Sequence, residues 1–320
     1  QIASEVKKQF SINSPEANIY FVKYKKYRKT IPPIFEKQTN NIAIIYAYGD
    51  VNQGKGSSLS IGSETLVKAI NKATKDKSIK AIVLRVNSPG GDAIASELIT
   101  NEVIKARKVK PVIVSMGDVA ASAGYEMSSN ATMIVASPIT ITGSIGVFGI
   151  MPNLSRTLKN NVGLTFDTVK TNDNAIISLT TPLSSQTKHV LQMNVENFYD
   201  NFITKVAQGR KLDKTFVDSI ARGRVWSAID AKEIGLVDEF GGLNKAISLA
   251  AQKAGIEQYG LIAYPKQKDI FTQLLETINE DSDLQEFTHK QDVFKQFTKK
   301  LKKLSQTQTV QARIPYIINF

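Results

Sequence analysis

Cysteine is absent from the 320-residue chain, and histidine occurs only as His189 and His289. The first absence excludes a disulfide framework and any thiolate metal site. The second excludes a three-histidine zinc centre. No uninterrupted apolar run approaches the roughly 20 residues that a membrane-spanning helix needs. Glycine (19) and proline (10) are too few for a collagenous or disordered chain. The start, QIASEVKKQF, has neither methionine nor the apolar core of a signal peptide. The expectation is a fragment, with any membrane anchor lying upstream.

What is present supports a full-sized core: 42% of residues are hydrophobic. Lysine and arginine total 41 against 29 acidic residues, a net charge of +12. The basic residues gather in Lys23–Lys29 and Lys290–Lys303. Neither segment carries a Cys/His finger or an RNP-type aromatic pattern, so nucleic acid is not expected as a partner. A solvated face is the plain reading, and an anionic membrane surface is the other.

Residues 1–41 are polar and lysine-rich with a Pro32-Pro33 break, and read as a connecting segment. From Ile42 the pattern sharpens. Ile42–Tyr48 (IAIIYAY), Ala81–Val86 (AIVLRV), Pro111–Ser115 (PVIVS) and Met133–Ala136 (MIVA) are short apolar runs, the pattern of buried strands. Helical spacing fills Glu64–Thr74 and about Ala93 to Lys108, and a short helix is expected near Ser122–Ser129. Strand, loop and helix in alternation predict an α/β fold with a mostly parallel sheet covered by helices. Sites in such sheets form where the carboxyl ends of the strands meet. Ser184 or Ser185 caps a long helix to about Gln208, with Leu191, Val195, Phe198 and Phe202 as its apolar stripe. Gly223–Gly242 reads as turn, helix and short strand. A last amphipathic helix is expected around Phe294, Phe297, Leu301 and Leu304.

Four glycine-punctuated loops could carry chemistry. Gly49–Gly56 (GDVNQGKG) nearly matches a P-loop, but Gly56 stands where the magnesium-binding hydroxyl belongs, so a polar glycine loop is the better reading. Asn87–Gly91 (NSPGG) follows a strand and could present bare backbone N–H groups to an oxyanion, or be only a tight turn. Ser122 lies in AASAG, where small neighbours let a strained turn expose a hydroxyl. The plain reading is a packed helix start. Thr142–Gly146 (TGSIG) is a third such turn. A nucleophilic serine needs a base, and both histidines sit in surface-like contexts. A Ser-Lys pair is the remaining known solution; it requires a desolvated, neutral lysine.

Taken in order, RVNSPGG (Arg85–Gly91), VSMGDVAASAGY (Val114–Tyr125), TGSIGVFG (Thr142–Gly149) and GRVWSAIDAKEIGLVDEFGG resemble the signal peptide peptidase or protease IV family over about Ile42–Gly255. The resemblance implies a crotonase-like α/β fold, related to the Clp protease, and peptide hydrolysis by a Ser-Lys dyad without cofactor or metal. It implies Ser122 as nucleophile, Ser144 as the residue orienting the lysine, and an oxyanion hole from the N–H groups of Gly90 or Gly91 and of Ala123. The family's usual glycine is replaced by alanine at 123. In short members the lysine follows TGSIG; here Val169–Ala175 (VKTNDNA) has none at the matching place, and Lys170 is a weak, early candidate. In long, duplicated members the first repeat supplies the lysine, so this chain resembles a second half. The implied domains are a connecting segment 1–41, a peptidase domain 42–255 and a carboxy-terminal extension 256–320. Implied partners are signal peptides and further copies in a homotetramer, at the bacterial inner membrane facing the periplasm. Two rival expectations are an acyl-CoA-processing enzyme on the same fold, with Ser122 incidental, and an inactive half serving as scaffold.

Overall fold

The computed structural model describes residues 22–23, 39–57, 59–172, 177–264 and the backbone of 311–313. The chain divides into two units, Gln1–Gln38 and Thr39–Phe320, and the fold below belongs to the second. The basic segments Lys23–Lys29 (beyond Lys23) and Lys290–Lys303, His289 and the amphipathic Phe294–Leu304 stretch lie outside the described residues.

Its elements are β1 (Asn41–Tyr48), β2 (Asp50–Asn52), β3 (Gly56–Ser57), β4 (Ser60–Gly62), α1 (Ser63–Lys75), β5 (Ile79–Ser88), β6 (Gly90–Asp92) and α2 (Ala93–Arg107). There follow β7 (Val112–Ala121), α3 (Ala123–Ser129), β8 (Met133–Ala136), β9 (Ile141–Gly143) and α4 (Ser155–Thr157), which runs into a π-helical turn at Leu158–Val162. The remainder is α5 (Ser185–Arg210), α6 (Lys214–Ile220), β10 (Val225–Ser227), α7 (Ala228–Glu233), β11 (Glu239–Phe240), α8 (Leu243–Ala254), β12 (Gly260–Tyr264) and β13 (Gln311–Arg313).

The main sheet runs β10-β9-β7-β5-β1-β12, with β8 also beside β7 and β11 beside β8. All its pairings are parallel except that of β10 with β9. A smaller sheet runs β13-β6-β2-β4-β3. The predicted α/β architecture with a mostly parallel sheet is therefore what the chain adopts. β12 joins the main sheet from the segment read as an extension.

The apolar runs owe their continuity to burial on both faces. On one face Ile42, Ile44, Ala81, Val83 and Ile113 meet Ala246, Ile247 and Ala250 of α8. On the other, Ala43, Ile45, Ile82, Leu84 and Val114 join the main core with α1, α2, α3 and α5. Alternate residues of each strand thus serve two different cores.

Two expectations need correction. β7 does not end at Ser115 in a small-residue turn but continues to Ala121. Its partner β5 pairs Val86 with Met116 and then Ser88 with Ala120, so β7 bulges at Gly117–Val119. The Asn87 side chain fills the gap: its Oδ1 accepts from the Val119 N–H at 3.0 Å. A glycine is needed at 117, where a Cβ would stand 2.8 Å from Asn87. The second correction concerns Gly223–Gly242, which begins with an edge strand, β10, before its helix.

α5 is capped as expected, the Ser184 hydroxyl accepting from the Thr187 N–H at 3.0 Å. It crosses α3 closely at Gly209, where an added Cβ would lie 2.4 Å from the Ser129 carbonyl oxygen. Gly209→Ala should therefore force the helices apart and cost about 1–3 kcal/mol of stability, measured as a lower urea midpoint.

Candidate functional site

Three neighbouring parallel strands end side by side. Ala120 of β7 pairs with Ser88 of β5, and Ala121 of β7 pairs with Gly143 of β9. The residues that follow these pairs are Pro89-Gly90-Gly91, Ser122 and Ser144. The register alone brings three of the four sequence motifs to one sheet edge, and α3 departs from their centre.

Ser122 is completely buried and has φ +55° and ψ −119°. A non-glycine residue there is strained by roughly 1–3 kcal/mol and persists only when its surroundings enforce it. Its N–H donates to the Gly143 carbonyl at 2.8 Å and its carbonyl accepts from the Glu126 N–H at 2.8 Å. Its hydroxyl makes no capping bond to α3, although a serine before a helix ordinarily does. Instead Oγ lies 3.5 Å from the Gly146 carbonyl oxygen, at the limit of a hydrogen bond. This serine is held at an elbow with its hydroxyl withheld from the helix. It is a packed helix start, as the plain reading has it, but one in a strained conformation and without the usual cap.

Ser144 is also buried and left-handed, with φ +48°. Its N–H donates to the Arg224 carbonyl at 2.7 Å. Gly143, with φ +75°, would drive a Cβ to 2.6 Å from the Trp226 ring. The GRVW segment thus clamps the TGSIG turn from its outer side.

The SPGG turn is a short strand rather than a bare loop. Gly91 (φ +154°) lies against β2 so closely that a Cβ would meet the Val51 carbonyl oxygen at 2.1 Å. Gly90, with φ +117°, donates its N–H to the Ser88 hydroxyl at 3.2 Å. α3 approaches the end of β5 through Gly124, where a Cβ would be 2.8 Å from the Ser88 carbonyl oxygen. Ala123, as first residue of α3, has an N–H with no acceptor within the helix. On its outer edge β6 carries β13 in antiparallel register, Ala312 opposite Gly91 and Arg313 opposite Gly90.

Lys170 is exposed and borders a cleft with Thr168, Thr181, Ser184 and Thr187, which none of Ser122, Ser144 or Gly90 lines. His189 is exposed on α5. Among the described residues no group of three His, Cys, Asp or Glu side chains could hold a metal ion.

Sequence reasoning passed over the charges behind the elbow. Glu126 of α3 is buried; its Oε2 lies 2.6 Å from the Ser96 Oγ of α2. Lys205 of α5 reaches Glu97 at 3.1 Å and Glu126 at 3.6 Å. Burial pushes the Glu126 carboxyl up to about 7, against the pull of Ser96 and Lys205. Its neighbour Tyr125 is raised by burial as well, and its hydroxyl donates to the Leu236 carbonyl at 3.0 Å. An acidic residue inside AGYEMSS, a helix of otherwise small and apolar residues, was the available signal.

A curated relative, a putative protease of Methanocaldococcus jannaschii, is 34% identical over 227 residues that make up 68% of this chain and 70% of that one. The model of peptidase family S49 matches residues 104–257. This chain belongs to peptidase family S49. S49 relatives named Protease 4 from Salmonella typhi (39% identical, 85% of this chain) and Haemophilus influenzae (41% identical, 72% of this chain) are longer. The chain spans only 43% and 38% of their lengths. Among solved structures, a variant of a membrane-bound stomatin-specific protease in complex with a substrate peptide aligns with a TM-score of 0.46 and 16% identity, over 75% of this chain and 98% of that one.

The raised Glu126 carboxyl ties the S49 elbow to pH. An ordinary glutamate titrates near 4.5, so ionising this one opposes folding. Its contribution to stability is full below about pH 4.5 and is lost as pH rises through about 7. The urea midpoint should fall between pH 5 and pH 8, and Glu126→Gln should flatten that fall.

Proposed function

We propose that this chain carries the nucleophile of a serine endopeptidase that degrades cleaved signal peptides at the bacterial membrane. The observation that carries the reading is the strained, uncapped Ser122 at the meeting point of the SPGG and TGSIG strand ends. Family membership supports the reaction class, and the Protease 4 relatives, with a putative signal peptide peptidase of Enterococcus faecium, support the substrate.

In this reading Ser122 Oγ attacks the scissile carbonyl carbon and gives its proton to a neutral lysine Nζ. The Ala123 N–H, with that of Gly91, stabilises the tetrahedral oxyanion, since the Gly90 N–H is engaged by the Ser88 hydroxyl. The leaving amine takes the proton from the lysine, and water then hydrolyses the acyl-enzyme. Ser144 orients the lysine. In this reading an upstream repeat supplies that lysine; Lys170 borders a cleft that Ser122 does not line. The substrate runs extended along β6, antiparallel to it. That β13 bonds in this sense supports the edge as one that accepts a strand; a substrate docked there would displace it. Family membership argues against the acyl-CoA-processing reading. Assembly as a tetramer and attachment to an anionic membrane facing the periplasm belong to the same proposal; no described helix is long and apolar enough to cross a bilayer.

Ser122→Ala in the full-length protein should abolish both fluorophosphonate labelling and hydrolysis of a signal-peptide-like substrate, a loss of at least about 1000-fold, with melting unchanged. Labelling that persists at another serine would end the assignment. Replacing Ser144 with alanine should lower kcat about 10–100-fold with little change in labelling stoichiometry at saturation.

A further inference from the structure

The Ser96 hydroxyl stands between two acceptors. Its Oγ is 2.6 Å from Glu126 Oε2 and 3.2 Å from the carbonyl oxygen of Ala123. A serine hydroxyl owns one proton. If Glu126 is ionised, that proton goes to the shorter, charge-assisted bond. Ser96 Oγ and the Ala123 carbonyl then face each other with no hydrogen between them. If Glu126 is protonated, its own O–H donates to Ser96 Oγ, and the Ser96 proton is released to the Ala123 carbonyl. Only the protonated state satisfies both contacts.

Ala123 is the residue after the candidate nucleophile, and its N–H is a candidate oxyanion donor. We infer that Ser96 and Glu126 form a proton-dependent brace that positions the Ser122–Ala123 elbow, engaged when Glu126 is protonated and slack when it is ionised. Ser96 and Glu126 act here as positioning residues, and the inference rests on the peptidase reading for its catalytic consequence. The brace joins α2 to α3. Two further charges face the carboxyl. Lys205 from α5, 3.6 Å away, favours ionisation, and Glu97 from α2, held by the same lysine, opposes it. The Glu126 N–H also supports the elbow directly, through its 2.8 Å bond to the Ser122 carbonyl. The Glu126 backbone thus holds the Ser122 carbonyl directly, and its side chain acts on the next carbonyl through Ser96.

The sign follows from the proton count. A base lysine gains activity as pH rises, whereas the brace loses hold as Glu126 ionises, so the two produce a rise followed by a fall. Glu126→Gln keeps a donor toward Ser96 at every pH and should abolish the fall while preserving the low-pH rate. Ser96→Ala removes the brace and should lower the low-pH rate about fivefold, the equivalent of one neutral hydrogen bond. Lys205→Met should move the fall to higher pH.

The experiment pairs two readouts on the full-length protein between pH 5 and 9. One is the fluorophosphonate labelling rate of Ser122. The other is the 13C resonance of the Ala123 carbonyl, followed with that of the Glu126 carboxyl. The brace predicts that both resonances titrate with one midpoint in the unmodified protein, and that Ala123 stops titrating in Glu126→Gln and Ser96→Ala. An Ala123 carbonyl indifferent to Glu126, or a labelling fall that survives Glu126→Gln, overturns it. Absence of labelling at any pH would count against Ser122 as nucleophile, while the carbonyl titration would still decide the brace.

Discussion

The register of three parallel strands is the constraint on which the candidate site depends. Ser88 opposite Ala120 and Ala121 opposite Gly143 leave no freedom in where Gly90, Ser122 and Ser144 begin. A one-residue slip would turn every side chain of β7 to the other face, and both faces are buried in separate cores. The bulge at Gly117–Val119 resets the strand after Met116, and the Asn87 side chain locks it. The site's geometry is thus underwritten by apolar packing remote from it.

Around that register, strain at the elbow is offset by close contact. Gly124 on Ser88, Gly91 on Val51 and Gly143 on Trp226 each admit backbone where a methyl group would collide. α3 is held from its far side too, by Tyr125 on Leu236, Asn130 on the Lys205 carbonyl and Gly209 on Ser129. Two positive-φ serines survive because nothing near them can relax. The Glu126 carboxyl adds a titratable element to an otherwise rigid frame.

Much of this was legible in the chain's own letters. The apolar runs named β1, β5, β7 and β8, and the α/β class followed from their alternation with helical segments. The SPGG turn and the Ser122 motif each follow a strand and so pointed to one neighbourhood, which Ser144 joined only through the family resemblance. Where the reading of β7 stopped short, MGDV looked like a turn because its pairing partner, Asn87, is a side chain from another strand. β13 was invisible, having no apolar periodicity of its own; its strand character comes from the β6 edge it lies on.

The sequence by itself determined the layered architecture, the family and the candidate nucleophile, because strand and helix periodicities and short motifs are local properties of the chain. Tertiary structure decided the rest. It withheld the Ser122 hydroxyl from capping α3, gave the Gly90 N–H to Ser88, and set Glu126 between Ser96 and Lys205. Those outcomes depend on which distant groups meet in a buried interior, where one proton or one methyl group changes the balance, and no local pattern encodes such meetings.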